Sequence, residues 1–262
     1  MDRPWVRRSR TLLLLLRASH VQSAPNVRLY TPHAQSFSPG GQIALAEGQR
    51  KYLASVMRFK ASDTLSVFNG CDGEWTACVE VLDKRRGEVR LLECVRSQPP
   101  AAAEPVLLFG VLKGARLPLL VEKSCELGVG ALQPVVTKHC AARALNVGRM
   151  QAIAIEAAEQ SRRLTVPRVA EPTPLHRVLD GWDPKRPLLV CDERGEAPPL
   201  SSVAASVASA GPGVLIGPEG GFAADEFDAL ASRPFVRLVS LGTNTLRAET
   251  AALAALAVLA CR

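Results

Sequence analysis

Two short stretches of this chain combine residues able to hold a small molecule. In the first, the apolar run Val214-Leu215-Ile216 feeds Gly217-Pro218-Glu219-Gly220-Gly221, and Phe222 onward reads as a helix with Asp225 and Glu226 in its opening turn. Three glycines within five residues let backbone N–H and C=O groups approach a ligand more closely than a Cβ would permit. In the second, Val239-Ser240-Leu241 feeds Gly242-Thr243-Asn244-Thr245-Leu246-Arg247, which opens a helix carrying Glu249 in its first turn. Arg247 and Glu249 thus sit where a helix N-terminus presents its unpaired N–H donors. Either loop alone could merely join a strand to a helix. Two of them together point to a ligand site at the carboxyl ends of an open sheet. Neither is a Walker loop, which ends in Gly-Lys-Ser/Thr, and Gly128-Val129-Gly130-Ala131-Leu132-Gln133 lacks the third glycine of a dinucleotide fingerprint. The residues alone define a small-molecule site without naming its ligand.

The elements that must position these loops fall into two grammars. From Val27 to about Val95 the pattern is short and turn-punctuated: Leu65 to Phe68 runs into Asn69-Gly70, a hairpin signal, Trp75 to Leu82 follows as a strand, and Lys84-Arg85-Arg86-Gly87 reads as a second turn. This predicts a small β domain, a barrel, over residues 26–98. The Pro-rich stretch 99–104 reads as a linker. From 105 to 262, apolar strands (Pro105 to Val111, Ala131 to Val136, Pro187 to Cys191, Gly213 to Ile216, Val236 to Leu241) alternate with helical segments at Leu117 to Leu127 and Met150 to Arg163. Near-continuous apolar strands between helices predict an α/β domain with a parallel sheet covered on both faces. The last helix, Ala248 to Ala260, is almost all Ala, Leu and Val, which predicts that it is buried.

The chain has 262 residues, 47% of them hydrophobic and 22% charged, the composition of a globular protein long enough for two cores. Its net charge of +7 is weak evidence for nucleic acid. Five arginines (Arg3, Arg7, Arg8, Arg10, Arg17) against Asp2 place +4 of it in residues 1–25, leaving +3 for the remaining 237. The best local cluster is Arg28, Arg50, Lys51, Arg58 and Lys60. Leu12 to Leu16 is too short to span a bilayer, so residues 1–25 read as an extension outside the fold, either a transit peptide or a segment ahead of the working start. Seven cysteines with no Cys-x-x-Cys pair imply a reducing compartment, and the His139-Cys140 neighbours do not make a metal site.

Five stretches in order and spacing resemble the RsmE-type family of 16S rRNA uracil-N3 methyltransferases within the SPOUT superfamily. They are the two loops, with Glu226 after the first and Leu246-Arg247-Ala248-Glu249-Thr250-Ala251 closing the second, together with Lys123-Ser124-Cys125-Glu126-Leu127-Gly128-Val129, Glu156-Ala157-Ala158-Glu159-Gln160-Ser161 with Arg163, and Val166-Pro167. In the β domain, Arg28-Leu29-Tyr30 and Tyr52-Leu53 with Val56-Met57-Arg58 also match. Tyr52 departs from the family's usual His, and Ala223 from a helix-capping Ser or Thr, the latter a difference of about 1 kcal/mol in helix stability.

The resemblance implies a PUA-like barrel that grips RNA through Arg28, Arg50, Arg58 and Lys60, followed by an α/β domain tied in a deep trefoil knot. S-adenosylmethionine would be held by Leu189, by Ile216, Gly217, Pro218, Glu219, Gly220 and Gly221, and by Leu241, Gly242, Thr245, Leu246 and Arg247. Uracil N3 carries a weakly acidic proton, so Arg247, Arg162 or Arg163 would stabilise the developing anion, and Glu249 or Glu219 would accept the proton or orient the ligand. The implied substrate is 16S rRNA within the small ribosomal subunit, and the implied assembly a cytoplasmic homodimer that uses neither metal nor membrane. Two alternatives stay open: a SPOUT enzyme acting on another RNA or on a ribose hydroxyl, and a noncatalytic RNA-binding protein of the same fold. Because residues 1–25 lack the periodicity to join either core, their deletion is expected to leave methyl transfer to RNA unchanged, and a folded truncation that no longer transfers methyl would show that those arginines touch substrate.

Overall fold

A computed structural model of the chain describes residues 27–32, 36–112, 114–142, 144–192 and 197–261, so the N-terminal extension lies outside the described residues. The first unit contains β1 (Arg28–Tyr30), β2 (Gln42–Ala44), α1 (Glu47–Lys51) running into a π-helical turn over Tyr52–Val56, β3 (Thr64–Phe68), β4 (Glu74–Leu82) and β5 (Gly87–Arg96). They form one curled sheet in the order β1-β3-β4-β5-β2, with β1 parallel to β3 and every other pair antiparallel. The expected β3–β4 hairpin is present, with a turn of five residues rather than the two of a tight Asn-Gly corner. Asn69 organises it, its Oδ1 accepting from the amides of Cys71 and Asp72. Leu65, Val67, Trp75, Ala77, Val79, Val89 and Leu91 close the core on one face.

The second unit contains β6 (Val106–Gly110), α2 (Arg116–Glu126), β7 (Ala131–Val136), α3 (Val147–Gln160), the short β8 (Arg168–Val169) and β9 (Thr173–Pro174), α4 (Leu175–Asp180), β10 (Leu188–Cys191), α5 (Leu200–Val207), β11 (Gly213–Ile216), α6 (Ala224–Ala231), β12 (Val236–Val239) and α7 (Ala248–Ala260). The sheet order is β12-β10-β11-β6-β7-β8, with β9 also on β7, and all pairs are parallel. Alternate residues of each strand serve opposite layers. Leu107, Phe109, Leu189, Val214 and Ile216 pack under α2, α3, α5 and α7. Leu108, Leu188, Val190 and Leu215 pack under α4 and α6. After β12 the chain is bonded to the segment that follows β10, through Ser240 N–H to Pro198 O and Leu200 N–H to Ser240 O. The loop through which a trefoil knot would have to thread includes residues 193–196, which lie outside the described residues.

Full burial of α7 does not hold. Ala248, Ala251, Ala252, Ala255 and Leu256 form one buried stripe at helical spacing, while Leu253, Ala254 and Ala257 on the other side are only half-buried and Thr250 is exposed. An all-apolar composition says that a helix can be covered on every side. It does not say that one chain does the covering.

The two units meet in a seam built from arginines and main-chain carbonyls, and this corrects two expectations. Arg28, expected on RNA, is buried, with 8% of its side chain exposed, against Glu74 at 2.9 Å. Its guanidinium also donates to the carbonyls of Ala158 (3.0 Å), Glu159 (2.7 Å) and Arg163 (2.9 Å), just past α3, and lies 4.5 Å from the centre of the Phe68 ring. Arg96 donates to Arg162 O beside it. Tyr30 N–H donates to the Glu159 carboxylate, whose pKa burial pushes up while that amide and Arg28 pull it back. Arg163, expected in catalysis, is spent internally. It donates to Cys125 O (2.7 Å) and Val129 O (2.8 Å) around the end of α2, and to Glu104 (2.8 Å). The carbonyls of Cys125, Ala158 and Glu159 lie in the last turns of α2 and α3, where the helix is short of donors and carries partial negative charge. Gly73 in the β3–β4 turn adopts φ +82°, and a Cβ there would lie 2.2 Å from Arg96 O. Gly73→Ala is therefore expected to cost about 3 kcal/mol, which thermal melting would show as a clear drop, and an unchanged midpoint would mean that the turn tolerates a side chain.

Candidate active site

The order β12-β10-β11 puts β10 between the two strands that carry the glycine-bearing loops, so both loops open at the same edge of the sheet. After β11, the amide of Gly221 donates to Pro218 O and closes a tight turn. Pro218 rests against the end of β6, where a Cβ on Gly110 would come within 2.8 Å of Pro218 N. The loop after β7 braces the same turn. Lys138 N–H donates to Glu226, and Glu226 also accepts from the amide of Ala223 at the start of α6. This carboxylate supplies one of the bonds at a helix start whose N-cap residue, Ala223, has no side-chain acceptor. After β12, Ser240 Oγ accepts from Gly242 N–H, with Gly242 at φ +117°. Arg247 is the N-cap of α7.

Between the loops lies a cavity of about 550 Å³. Ten of the twelve residues expected to hold the cofactor line it: Ile216 to Glu219 with Gly221, Leu241 and Gly242, and Thr245 to Arg247. Leu189 and Gly220 do not. Leu189 is fully buried in the sheet, and its place is taken by Cys191 and Asp192 at the end of β10. The space where a Gly220 side chain would go belongs to His139, whose Cβ lies 3.1 Å from that position and whose Nδ1 lies 3.0 Å from Gly220 O. Asp228 of α6 also lines the cavity, whose charged residues are thus Asp192, Glu219, Asp228 and Arg247.

Sequence reasoning missed Arg116. Its guanidinium lies 2.9 Å from Glu219 of the first loop and 3.6 Å from Glu249 of α7, joining the two halves of the site. Nothing in its spacing marks it, because the partners lie more than a hundred residues away. The Glu249 side chain is 13% exposed, and its Oε2 is buried with no hydrogen-bond partner among the described residues. Arg162 is exposed with φ +58° and stands outside the cavity lining, as do Arg163 and Glu249. On the β domain, Arg58 (φ +57°), Lys60 and Tyr52 are exposed around one turn, whereas Arg50 folds back onto Asp83 O and over Gly87. Among the described residues no group of three or more His, Cys, Asp or Glu is placed to hold a metal, and no helix is long and apolar enough to cross a membrane.

A family profile described as an RNA methyltransferase domain matches residues 99–260, and one described as an RNA methyltransferase PUA domain matches residues 45–92. Ribosomal RNA small subunit methyltransferase E of Rickettsia conorii is 34% identical over 206 residues, covering 79% of this chain and 84% of its own. The chain belongs to the RsmE-type family of RNA methyltransferases. The Synechocystis protein of the same name is 32% identical, covering 82% of this chain and 71% of its own. A crystal structure of ribosomal RNA small subunit methyltransferase E from Neisseria gonorrhoeae bound to S-adenosyl methionine superposes with a TM-score of 0.77 at 32% identity, covering 88% of this chain and 95% of that one. A Legionella pneumophila methyltransferase in complex with the same cofactor superposes with a TM-score of 0.72 at 27% identity, covering 89% and 96%. The fold is thus that of the family: a PUA-like unit followed by a parallel-sheet methyltransferase domain.

Cys191 is the one cysteine in the cavity wall, and burial pushes its thiol up to about 12. A thiol held that far above neutrality carries almost no thiolate and is a poor nucleophile. Iodoacetamide at pH 8 is therefore expected to label the exposed Cys71, Cys94 and Cys261 of the folded protein and to spare Cys191. Rapid Cys191 labelling, read by peptide mass spectrometry, would contradict that environment.

Proposed function

We propose that this protein binds S-adenosylmethionine in the cavity between its two loops and methylates N3 of a uridine in 16S rRNA of the small ribosomal subunit. The observation that carries the reading is the cavity built from both loops at the ends of β10, β11 and β12, in a family whose Neisseria gonorrhoeae member, 32% identical, holds this cofactor. When bound, the cofactor supplies an electrophilic methyl group on its cationic sulfonium. The backbones of Gly217, Pro218, Glu219, Gly221, Leu241 and Gly242 lie along the cavity, while Leu246, Ala248 and Ala251 give an apolar wall.

The protein's task is to make uracil N3 nucleophilic. Its proton must leave as the nitrogen lone pair forms the new bond to carbon. Arg247, at the head of α7 and in the cavity wall, places a cation and a helix N-terminus near the carbonyl oxygens that take up the negative charge. Methylation at C5 generally requires a nucleophile that adds to the ring. Neither loop contains a cysteine, and Cys191 is held protonated. Substrate RNA is held on the β domain by Arg58 and Lys60, with exposed Tyr52 available to stack on an unpaired base. The half-buried Leu253, Ala254 and Ala257 of α7, on the side away from the core, support a homodimer formed through this face. The place of action is the cytoplasm, where the small subunit is made.

A methyl on N3 removes the donor from uracil's pairing edge, so reverse transcriptase is expected to halt one nucleotide before the site in RNA treated with this enzyme. Arg247→Ala at saturating cofactor is expected to reduce that stop about a hundredfold or more. Methyl incorporation without a stop would instead mark a ribose or another ring position.

A further inference from the structure

The seam suggests more than a stable junction. Arg28 belongs to β1, at the edge of the RNA-facing unit, yet three of its bonds go to carbonyls of the methyltransferase domain and one pair of bonds goes to Glu74 of its own sheet. Its planar fork is thereby filled on both sides. One of those carbonyls belongs to Arg163, whose own guanidinium holds the carbonyls of Cys125 and Val129 at the end of α2. At its other end, α2 begins with Arg116, which spans Glu219 and Glu249 at the cofactor cavity. Hydrogen bonds and one eleven-residue helix therefore run without a gap from the RNA-facing sheet to the cavity. Helices transmit displacement as rigid rods, and a methyl-acceptor atom out of line by about 1 Å can lower a rate about a hundredfold.

We infer that Arg28 is a positioning residue of the methyl-transfer reaction: it fixes the spacing between the RNA held on the β domain and the methyl donor held between the two loops. This rests on the reading that the β domain grips the RNA. Arg28 touches neither ligand. Its effect is on alignment, so the affinity for each ligand is set elsewhere, on Arg58 and Lys60 and on the loops. Lysine at position 28 keeps the charge beside Glu74 but has no planar fork with which to reach three carbonyls and a carboxylate together.

The test is Arg28→Lys in the full chain, using small ribosomal subunits that lack the modification and S-adenosylmethionine with a labelled methyl group. Binding of each ligand is measured separately, and the single-turnover rate is measured with both saturating. The expected result is a rate lower by about ten- to a hundredfold, with both affinities within about threefold of the unsubstituted protein and a full complement of cofactor sites. Glu74→Gln keeps the carbonyl bonds and is expected to lose only about two- to fivefold, which covers the case in which Arg28→Lys folds poorly. An unchanged saturated rate in both variants overturns the inference. Weaker RNA binding at an unchanged saturated rate makes Arg28 an RNA contact and overturns it too. Loss of cofactor sites in step with the rate, in both variants, reduces the seam to a folding element. Nucleoside analysis of the product made by the unsubstituted protein separately tests the uridine-N3 reading.

Discussion

The site depends first on strand order. With β10 between β11 and β12 in an all-parallel sheet, the loops after β11 and β12 must leave on the same side and face each other across the end of β10. Any order that separated β11 from β12 further would leave each loop as an isolated turn. The cost of this arrangement is borne by the backbone. Pro218 is pressed against Gly110 with no room for a Cβ, and Gly242 adopts φ +117°, where side chains are disfavoured. The glycines are therefore of two kinds. Gly110, Gly217 and Gly220 make room for other parts of the protein, namely Pro218, Phe222 and His139, whereas Gly242 lines open space beside the cavity.

The same residue type performs unlike work depending on what faces it. Arg28 and Arg163 saturate helix-terminal carbonyls in the interior, Arg116 ties two carboxylates at the rim, Arg247 caps a helix in the cavity wall, and Arg58 points to solvent. Burial of a guanidinium is unfavourable unless nearly every donor is satisfied, and Arg28 meets that condition with four acceptor groups and an aromatic face. Removing such a residue costs more than its bonds alone would suggest, because several carbonyls and Glu74 would be left in a dry seam.

Much of the architecture was legible in the sequence because it is written in local pattern. Apolar β-branched runs marked β6, β7, β10, β11 and β12, and the Gly-rich ends of the last two marked the loops that line the cavity. What was not legible depends on partners distant along the chain. Arg28 and Arg163 sit in motifs that resemble the family's, and a cation in a motif reads as a contact for an anion. The carbonyls that hold them instead belong to every residue type and leave no trace in composition. Arg116 escaped notice for the same reason, and Gly220 stands outside the cavity lining, beside His139 from the loop after β7.

The last helix shows where such a reading stops. Thirteen residues of Ala, Leu and Val with a single Glu and Thr demand apolar surroundings, and the chain supplies them along only one stripe. At the N-terminus of α2, Arg116 reaches Glu249 at the head of α7. A second subunit covering α7 would therefore pack against the helix that carries one end of the Arg116 bridge. The Glu249 oxygen that has no hydrogen-bond partner among the described residues is on the first turn of that helix. The geometry of the cavity is in this way tied to one helix, whose inner face packs on the core beneath the loops and whose outer face is only partly covered by the described residues.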